Sequence, residues 1–512
     1  MADGAILAID QGTTNSKAVL VSETGQILAK GSAPVGINYP NPGWVEQDAD
    51  DLWTSSLAAI ANCLAQQPDT AILAIGISNQ RESVAAWNRS SGEPLAPVVT
   101  WQCRRTTNAT LALKANGHER RVIEATGLPL DPLFPALKMR WLIDHVDPSL
   151  SSDLCLGTVD SWLIFRLTGG ENFATDRSNA SRTQLLNIAT GDWDDDLCRL
   201  FDVPKALLPS LRDSSTVFGK TSGVPGLPDG IPIAAAIGDS HAALFGHSAF
   251  RPGDAKVTFG TGSSTMVNVP GFRVPEQGIT TTIAWSIDGK ITYALEGNIL
   301  ASASIFPWTA EMLGLGKDAV GHLLDLAKSV ESSEGVYLVP AHVGLGAPYW
   351  RPEATGLITG LRFSTTPAHV ARAAAESMAL QVVNVLDNMA CQIPMDIGSI
   401  SVDGSPTGNS FLMQLVSDLL GRTIRIGNNS EVSALGAGAL AGLAIGLWES
   451  QEEISRLWRE SRIVKPGLTE ADRQSLIAGW TQAVARCALL PDAKPKTSRP
   501  YRERQEDDCV TT

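Results

Sequence analysis

The sequence predicts an α/β protein of two domains with related topology, and three observations predict it. A short apolar run, Ala5 to Ile9, turns at Gly12-Thr13-Thr14-Asn15 and returns through Lys17 to Val21, which reads as a hairpin of buried strands. About half a chain later, Ala255 to Val269 repeats the order of strand, Gly260-Thr261-Gly262 turn and strand, a sign of duplicated topology. Elsewhere, apolar runs such as Ile231 to Ile237 and Ile400 to Val402 deliver Gly and Asp residues straight into helices. That is the pattern of α/β sheets, whose ligands bind at the carboxyl ends of strands. A boundary near residue 250 follows, with domains expected at 1–249 and 250–490. The polar, Pro-containing stretch 491–512 is expected to be a disordered tail.

Taken in order, Gln26 to Lys30 adds a third strand to the opening hairpin, and Asp50 to Leu64 reads as a helix. Ala71 to Ile77 reads as a strand ending in Asn79-Gln80-Arg81-Glu82, where position alone favours a surface ion pair for Arg81 and Glu82. Trp101 to Thr106 falls at a strand-to-helix junction, followed by helices at Leu137 to His145 and Asp160 to Leu167. Pro and Gly cluster from Val203 to Pro232, which reads as a connecting region. Asp239 stands at the end of its strand, where it either faces a crevice or caps the helix Ser240 to His247. In the second half, helices are expected after Gly297, at Val370 to Ala390 and at Ser410 to Leu420. The turn before the last of these, Gly404 to Asn409, suits an adenosine held against a helix N-terminus. The Gly/Ala-rich stretch Val432 to Trp448 is marginal for a membrane span and reads as a closely packed buried helix.

A chain of 512 residues, 44% hydrophobic and 18% charged, can bury two large cores. Its net charge of −14 excludes nucleic acid and anionic membrane as partners, because both need basic faces. Seven scattered cysteines without a C-x-x-C pair exclude a disulfide framework and a zinc site. With no basic, apolar leader at the N-terminus, the chain is expected in the cytoplasm, and the sequons at Asn88, Asn108, Asn179 and Asn428 are expected to be silent. Composition leaves a homo-oligomer open.

The two turns carry the chemistry. Gly12 lets backbone approach a ligand, and Thr13, Thr14 and Asn15 add side-chain donors to successive N–H groups, a concavity suited to phosphate. Asp10 at the mouth of the strand suits a hydrated magnesium ion. The plain alternative is a hairpin whose turn happens to be polar. No Walker loop, no G-x-G-x-x-G after a strand and no H-E-x-x-H is present. Paired phosphate loops with a crevice carboxylate fit phosphoryl transfer from ATP to a hydroxyl, with magnesium on the phosphates.

The motifs together resemble the FGGY carbohydrate kinases, and within them the glycerol kinases, from Asp10 to Trp448. The matching blocks are Asp10-Gln-Gly-Thr-Thr14, Asn79-Gln-Arg-Glu82, Trp101 to Thr106, Thr175 to Thr183, Gly238-Asp239, Phe259-Gly-Thr-Gly262, Tyr293 to Gly297, Val339 to Trp350 and Ala434 to Ala437. The resemblance implies two actin-like, ribonuclease-H-like domains flanking a cleft. It implies Asp239 as catalytic base, Asp10 on the magnesium side, and Arg81 and Glu82 as a clamp on substrate hydroxyls, with Trp101 as an apolar wall. Thr13, Thr14, Asn15 and Lys17 would meet the phosphates with Gly260 and Thr261, and Gly404, Ser405 and Asn409 would lie near the adenosine.

Departures stand beside the matches. Leu133 replaces a substrate-touching Tyr of the glycerol kinases, Ser240 a Gln, Ser264 a bulky Phe, Ser405 a glycine, and Ala303 and Pro307 a Gly and a Gln. Lost hydrogen bonds and a larger pocket predict a polyol or related sugar at least as long as glycerol, such as a tetritol or pentitol. A true glycerol kinase is the alternative, and a non-catalytic actin-like nucleotide switch is the alternative of another class.

Overall fold

Ala5 to Ile9 and Ala18 to Val21 are apolar without alternation, so their strands are buried on both faces. In the computed structural model, which describes residues 4–146, 153–276, 278–427, 431–457 and 461–488, Gly4–Gln11 pairs antiparallel with Asn15–Ser22, Asp10 opposite Lys17. Ile27–Pro34 extends this meander. On its other side Gly4–Gln11 runs parallel to Ala71–Asn79, which runs parallel to Pro232–Gly238. The second half repeats the plan. Ala255–Phe259 pairs antiparallel with Ser263–Val269, and Lys290–Ile299 follows. On the other side of Ala255–Phe259, Ile400–Asp403 runs parallel to it, and Ile424–Gly427 runs parallel to Ile400–Asp403. This doubled α/β topology is the one the family resemblance implies. The expected tail at 491–512 and the sequon at Asn428 lie outside the described residues.

Three expectations need correction. The Val203 to Pro232 region is more than a connector, because Ser215–Lys220 is a strand of the main sheet. It pairs antiparallel with Pro232–Gly238 and meets Thr280–Ile287 at Ser215 and Ile287, so it stitches the two halves into one sheet. Its short, mixed sequence between Pro and Gly clusters hid it. After Gly297 the chain stays extended to Ile299, and the helix spans Ile305–Met312. Arg81 and Glu82, finally, are only 7% and 5% exposed and form no surface pair.

The Gly/Ala-rich stretch forms the helix Val432–Ala444, which lies against the helix Asp239–Gly246 and the strands of the first half. Ala434, Ala437 and Leu440 share a core with Ile6, Ala8 and Val19. Small residues allow this approach: a Cβ on Gly436 would stand 1.9 Å from the Ala242 carbonyl oxygen, and one on Gly76 2.3 Å from that of Ala437. Gly436→Ala is therefore expected to destabilise the protein by about 1–3 kcal/mol, the usual cost of overpacking, seen as a lower urea midpoint. No helix among the described residues is long and apolar enough to cross a membrane.

Candidate active site

Register brings the first carboxylates together. Asp10 is opposite Ser78, and Ser78 is opposite Ile237, so Asp10 and Asp239 leave the sheet at the same end. The Ser78 hydroxyl donates to Asp10 at 2.8 Å. Burial, with Asp239 and Glu431 adding negative charge nearby, pushes Asp10 up to about 6. In the turn, the Trp101 indole N–H donates to the Thr13 hydroxyl at 2.9 Å and the Gln47 amide to the Thr13 carbonyl at 2.8 Å. Thr14 holds Val35 through its carbonyl, and Asn15 is exposed beside the Thr14 hydroxyl. The expected phosphate cation Lys17 is engaged, because its ammonium meets Glu431 at 2.8 Å, at the start of the Val432–Ala444 helix.

Asp239 is the first residue of its helix, and the N-cap is Gly238, so capping is not its role. Its Oδ1 accepts from the Ser240 backbone N–H at 2.6 Å and from Arg81 Nε at 3.2 Å. Arg81 also reaches the Ser240 hydroxyl at 3.3 Å and pairs with Glu296 at 2.7 Å. Arg182 then pairs with Glu296 at 2.8 Å and with Glu82 at 2.6 Å. Two guanidiniums thus sit among three carboxylates, and the cluster keeps a net negative charge. Burial raises the Asp239 carboxyl above its ordinary range; Arg81 opposes this and Glu82 adds to it. Glu296 is fully buried, yet Arg182 and Arg81 overcome the cost of burial and hold it well below the usual carboxylate range. It enters from Lys290–Ile299 in the second half, so the cluster ties the halves together at the cleft.

Leu133 is held beside Glu82. The buried Lys138 ammonium donates to the Leu133 carbonyl at 2.6 Å and to the Glu82 carbonyl at 3.1 Å, which fixes the two residues side by side. Burial lowers Lys138 to about 7. The Trp101 backbone N–H is held by the Ser83 hydroxyl at 3.1 Å, next to Glu82.

In the second half, the Gly260-Thr261-Gly262 turn is closed by Gly260 N–H to the Gly262 carbonyl at 2.8 Å. The Ser302 and Ala303 N–H groups and the Ser304 hydroxyl tie its carbonyls to the next helix. Gly404, at φ +97°, leaves no room for a side chain, since its Cβ would lie 1.8 Å from the Phe259 carbonyl oxygen. Ser405 opens a short 3-10 turn after it. The Asn409 side chain caps the helix Ser410–Leu420 by accepting from Leu412 N–H at 3.1 Å. Just before Gly404, Asp403 receives His247 Nε2 at 2.6 Å and the Thr258 hydroxyl at 3.1 Å.

Sequence reasoning assigned no role to Glu296, Arg182, Lys138, Lys256, Asp403 or His247. The first two stood inside blocks already matched, and a lone charge in an apolar strand, as in Ala294-Leu-Glu296-Gly297, was the signal for the first.

Residues 5–246 match the N-terminal domain of the FGGY family of carbohydrate kinases, and residues 255–445 match its C-terminal domain. The apulose kinase of Pectobacterium atrosepticum is 44% identical over 494 residues, which cover 95% of this chain and 99% of that protein. The glycerol kinase of Oceanobacillus iheyensis is 42% identical over 491 residues, covering 94% and 98%. Among solved structures, Plasmodium falciparum glycerol kinase with ADP superposes with a TM-score of 0.89 at 31% identity, covering 96% of this chain and 99% of that one. A ligand-bound xylulose kinase from Lactobacillus acidophilus has a TM-score of 0.88 at 23% identity, over 95% and 99%, and shows the same fold. With both domain matches in order along one chain and relatives of this identity along nearly all of it, the protein belongs to the FGGY family of carbohydrate kinases.

Proposed function

We propose that the protein transfers the γ-phosphate of ATP to a hydroxyl of a polyol or sugar with more than three carbons. The observation that carries this reading is the Arg81–Glu296–Arg182–Glu82 cluster, buried beneath the partly exposed Asp239 carboxylate, with Leu133, Ser240 and Ser264 around it where the glycerol kinases carry larger groups. A carboxylate whose affinity for protons is raised by burial is a stronger base, and Asp239 takes the proton of the attacking hydroxyl. Arg81 and Glu82 offer a donor and an acceptor to neighbouring hydroxyls and fix which one attacks. Thr13, Thr14, Asn15, Gly260 and Thr261 hold phosphate oxygens, Lys17 joins them by exchanging Glu431 for a phosphate, and Gly404, Ser405 and the Asn409 backbone border the adenosine.

Magnesium fits this site. Asp239 and Glu431 raise the proton affinity of Asp10, which is the signature of negative charge that a cation would neutralise. No group of three or more His, Cys, Asp or Glu side chains able to hold a metal lies among the described residues, and magnesium on one carboxylate and the nucleotide phosphates needs none. When bound, the ion neutralises charge on the β- and γ-phosphate oxygens.

The relatives include an apulose kinase and a glycerol kinase, so the acceptor screen decides. ADP release should be followed with glycerol, four- and five-carbon polyols, and ketoses that include apulose. The expected result is a kcat/KM for a longer acceptor at least about tenfold above that for glycerol, the value of one well-placed hydrogen bond. A clear preference for glycerol would favour the glycerol kinase reading instead.

A further inference from the structure

Lys256 is fully buried, and no ion pair to it is found among the described residues. It comes from Ala255–Phe259, the strand that leads into the Gly260-Thr261-Gly262 turn. Its ammonium donates to the Thr258 hydroxyl at 3.0 Å and to the Ser264 hydroxyl at 3.2 Å. Ser264 is partly exposed and stands in register with Thr258 on the returning strand. Among the described residues its own proton has one partner, Glu296 Oε1, at 3.4 Å, longer than a well-formed hydroxyl hydrogen bond. An ammonium therefore occupies a lone pair of Ser264 while its O–H is only weakly held, beside the carboxylate that positions Arg81.

We propose that Ser264, oriented by Lys256, donates a hydrogen bond to a carbonyl oxygen of the acceptor, so that the preferred substrate is a ketose rather than the corresponding alditol. The inference rests on the kinase reading above and names the substrate class of that same site. Hydroxyls need both a donor and an acceptor, which Arg81, Glu82 and Asp239 supply. Ser264 offers a donor polarised by the ammonium on one of its lone pairs, which suits a carbonyl oxygen, an acceptor only, better than a hydroxyl that must also place its own proton. Lys256 touches no reacting atom and is a positioning residue.

Burial lowers Lys256 to about 8, with Arg81 adding to this and Asp403, Glu296 and Asp239 opposing it. The ammonium is thus present below about 8 and lost above it. The facing groups are Asp403 and Thr258 from the nucleotide side, Ser264 and Glu296 from the adjoining strands, and Arg81 and Asp239 from the first half.

The test compares erythrulose with erythritol, and apulose with its borohydride-reduced alditol, each pair sharing one carbon skeleton. For the wild-type protein kcat/KM for the ketose is expected to exceed that for the alditol by about 10-fold, the value of one well-placed hydrogen bond between neutral groups. Ser264→Ala and Lys256→Met should each bring the ratio close to one, and Lys256→Arg should restore part of it. The wild-type ratio should fall as pH rises through about 8 and stay flat in Lys256→Met. Taking a ratio cancels the titration of Asp239, which both acceptors share. Ser264→Ala removes a single oxygen from a partly exposed side chain and keeps the test decisive if Lys256→Met does not fold. A wild-type ratio near one, or a ratio unchanged in both variants, overturns the inference and leaves the kinase reading standing. Phosphorylation of no acceptor overturns both.

Discussion

Asp239→Asn is expected to lower kcat by about 10²- to 10⁴-fold, the range for removing a general base, with ATP affinity little changed. The amide keeps the shape of the carboxylate and can still accept from the Ser240 backbone N–H, while Arg81 retains Glu296. The loss therefore reports proton transfer and not a collapsed pocket. In the wild-type protein kcat/KM should fall on the acid side at a pH above the ordinary carboxylate range, because burial raises the proton affinity of Asp239. A variant with normal turnover would remove Asp239 from the role of base. Nucleotide binding measured by calorimetry separates this outcome from a general loss of structure.

Glu296→Gln is expected to act on stability and on the same acid limb. Removing one partner of a buried ion pair costs about 3–5 kcal/mol, because the charges left behind are uncompensated. Here Arg81 and Arg182 would both lose their shared carboxylate, leaving Asp239 and Glu82 as their anions. The urea midpoint should fall with little change in slope. Arg81, no longer divided between two carboxylates, should interact more strongly with Asp239 and lower its proton affinity. The acid limb of kcat/KM would then move to lower pH. An unshifted limb would mean that Glu296 only fills space in the core.

Much of this could be read from the residues. The two hairpins, their Gly/Thr turns and the Asp at the end of the Ile231 to Ile237 run depend on local patterns of burial and turn chemistry, which a short window contains. What could not be read locally was who meets whom. Arg81 and Glu82 looked like surface groups because isolated charges usually are. Their burial depends on Arg182, 100 residues beyond Glu82 in sequence, and on Glu296 from the other half of the molecule. Lys17 shows the converse: its place beside the phosphate turn was legible, but its ion pair with Glu431, 414 residues away, was not. The strand Ser215–Lys220 was missed because sheet membership was decided by its neighbours and not by its own sequence.

The helix Val432–Ala444 has a consequence for how the molecule is made. Its Ala and Leu residues complete a core whose strands, from Ile6 to Ala294, are all synthesised before residue 300. Until that late segment emerges from the ribosome, the strands of Ile6, Ala8 and Val19 lack the helix that packs on them. The first half to be translated must wait, partly formed, for nearly the last part of the chain, so the two halves reach their native state as one cooperative unit rather than one after the other.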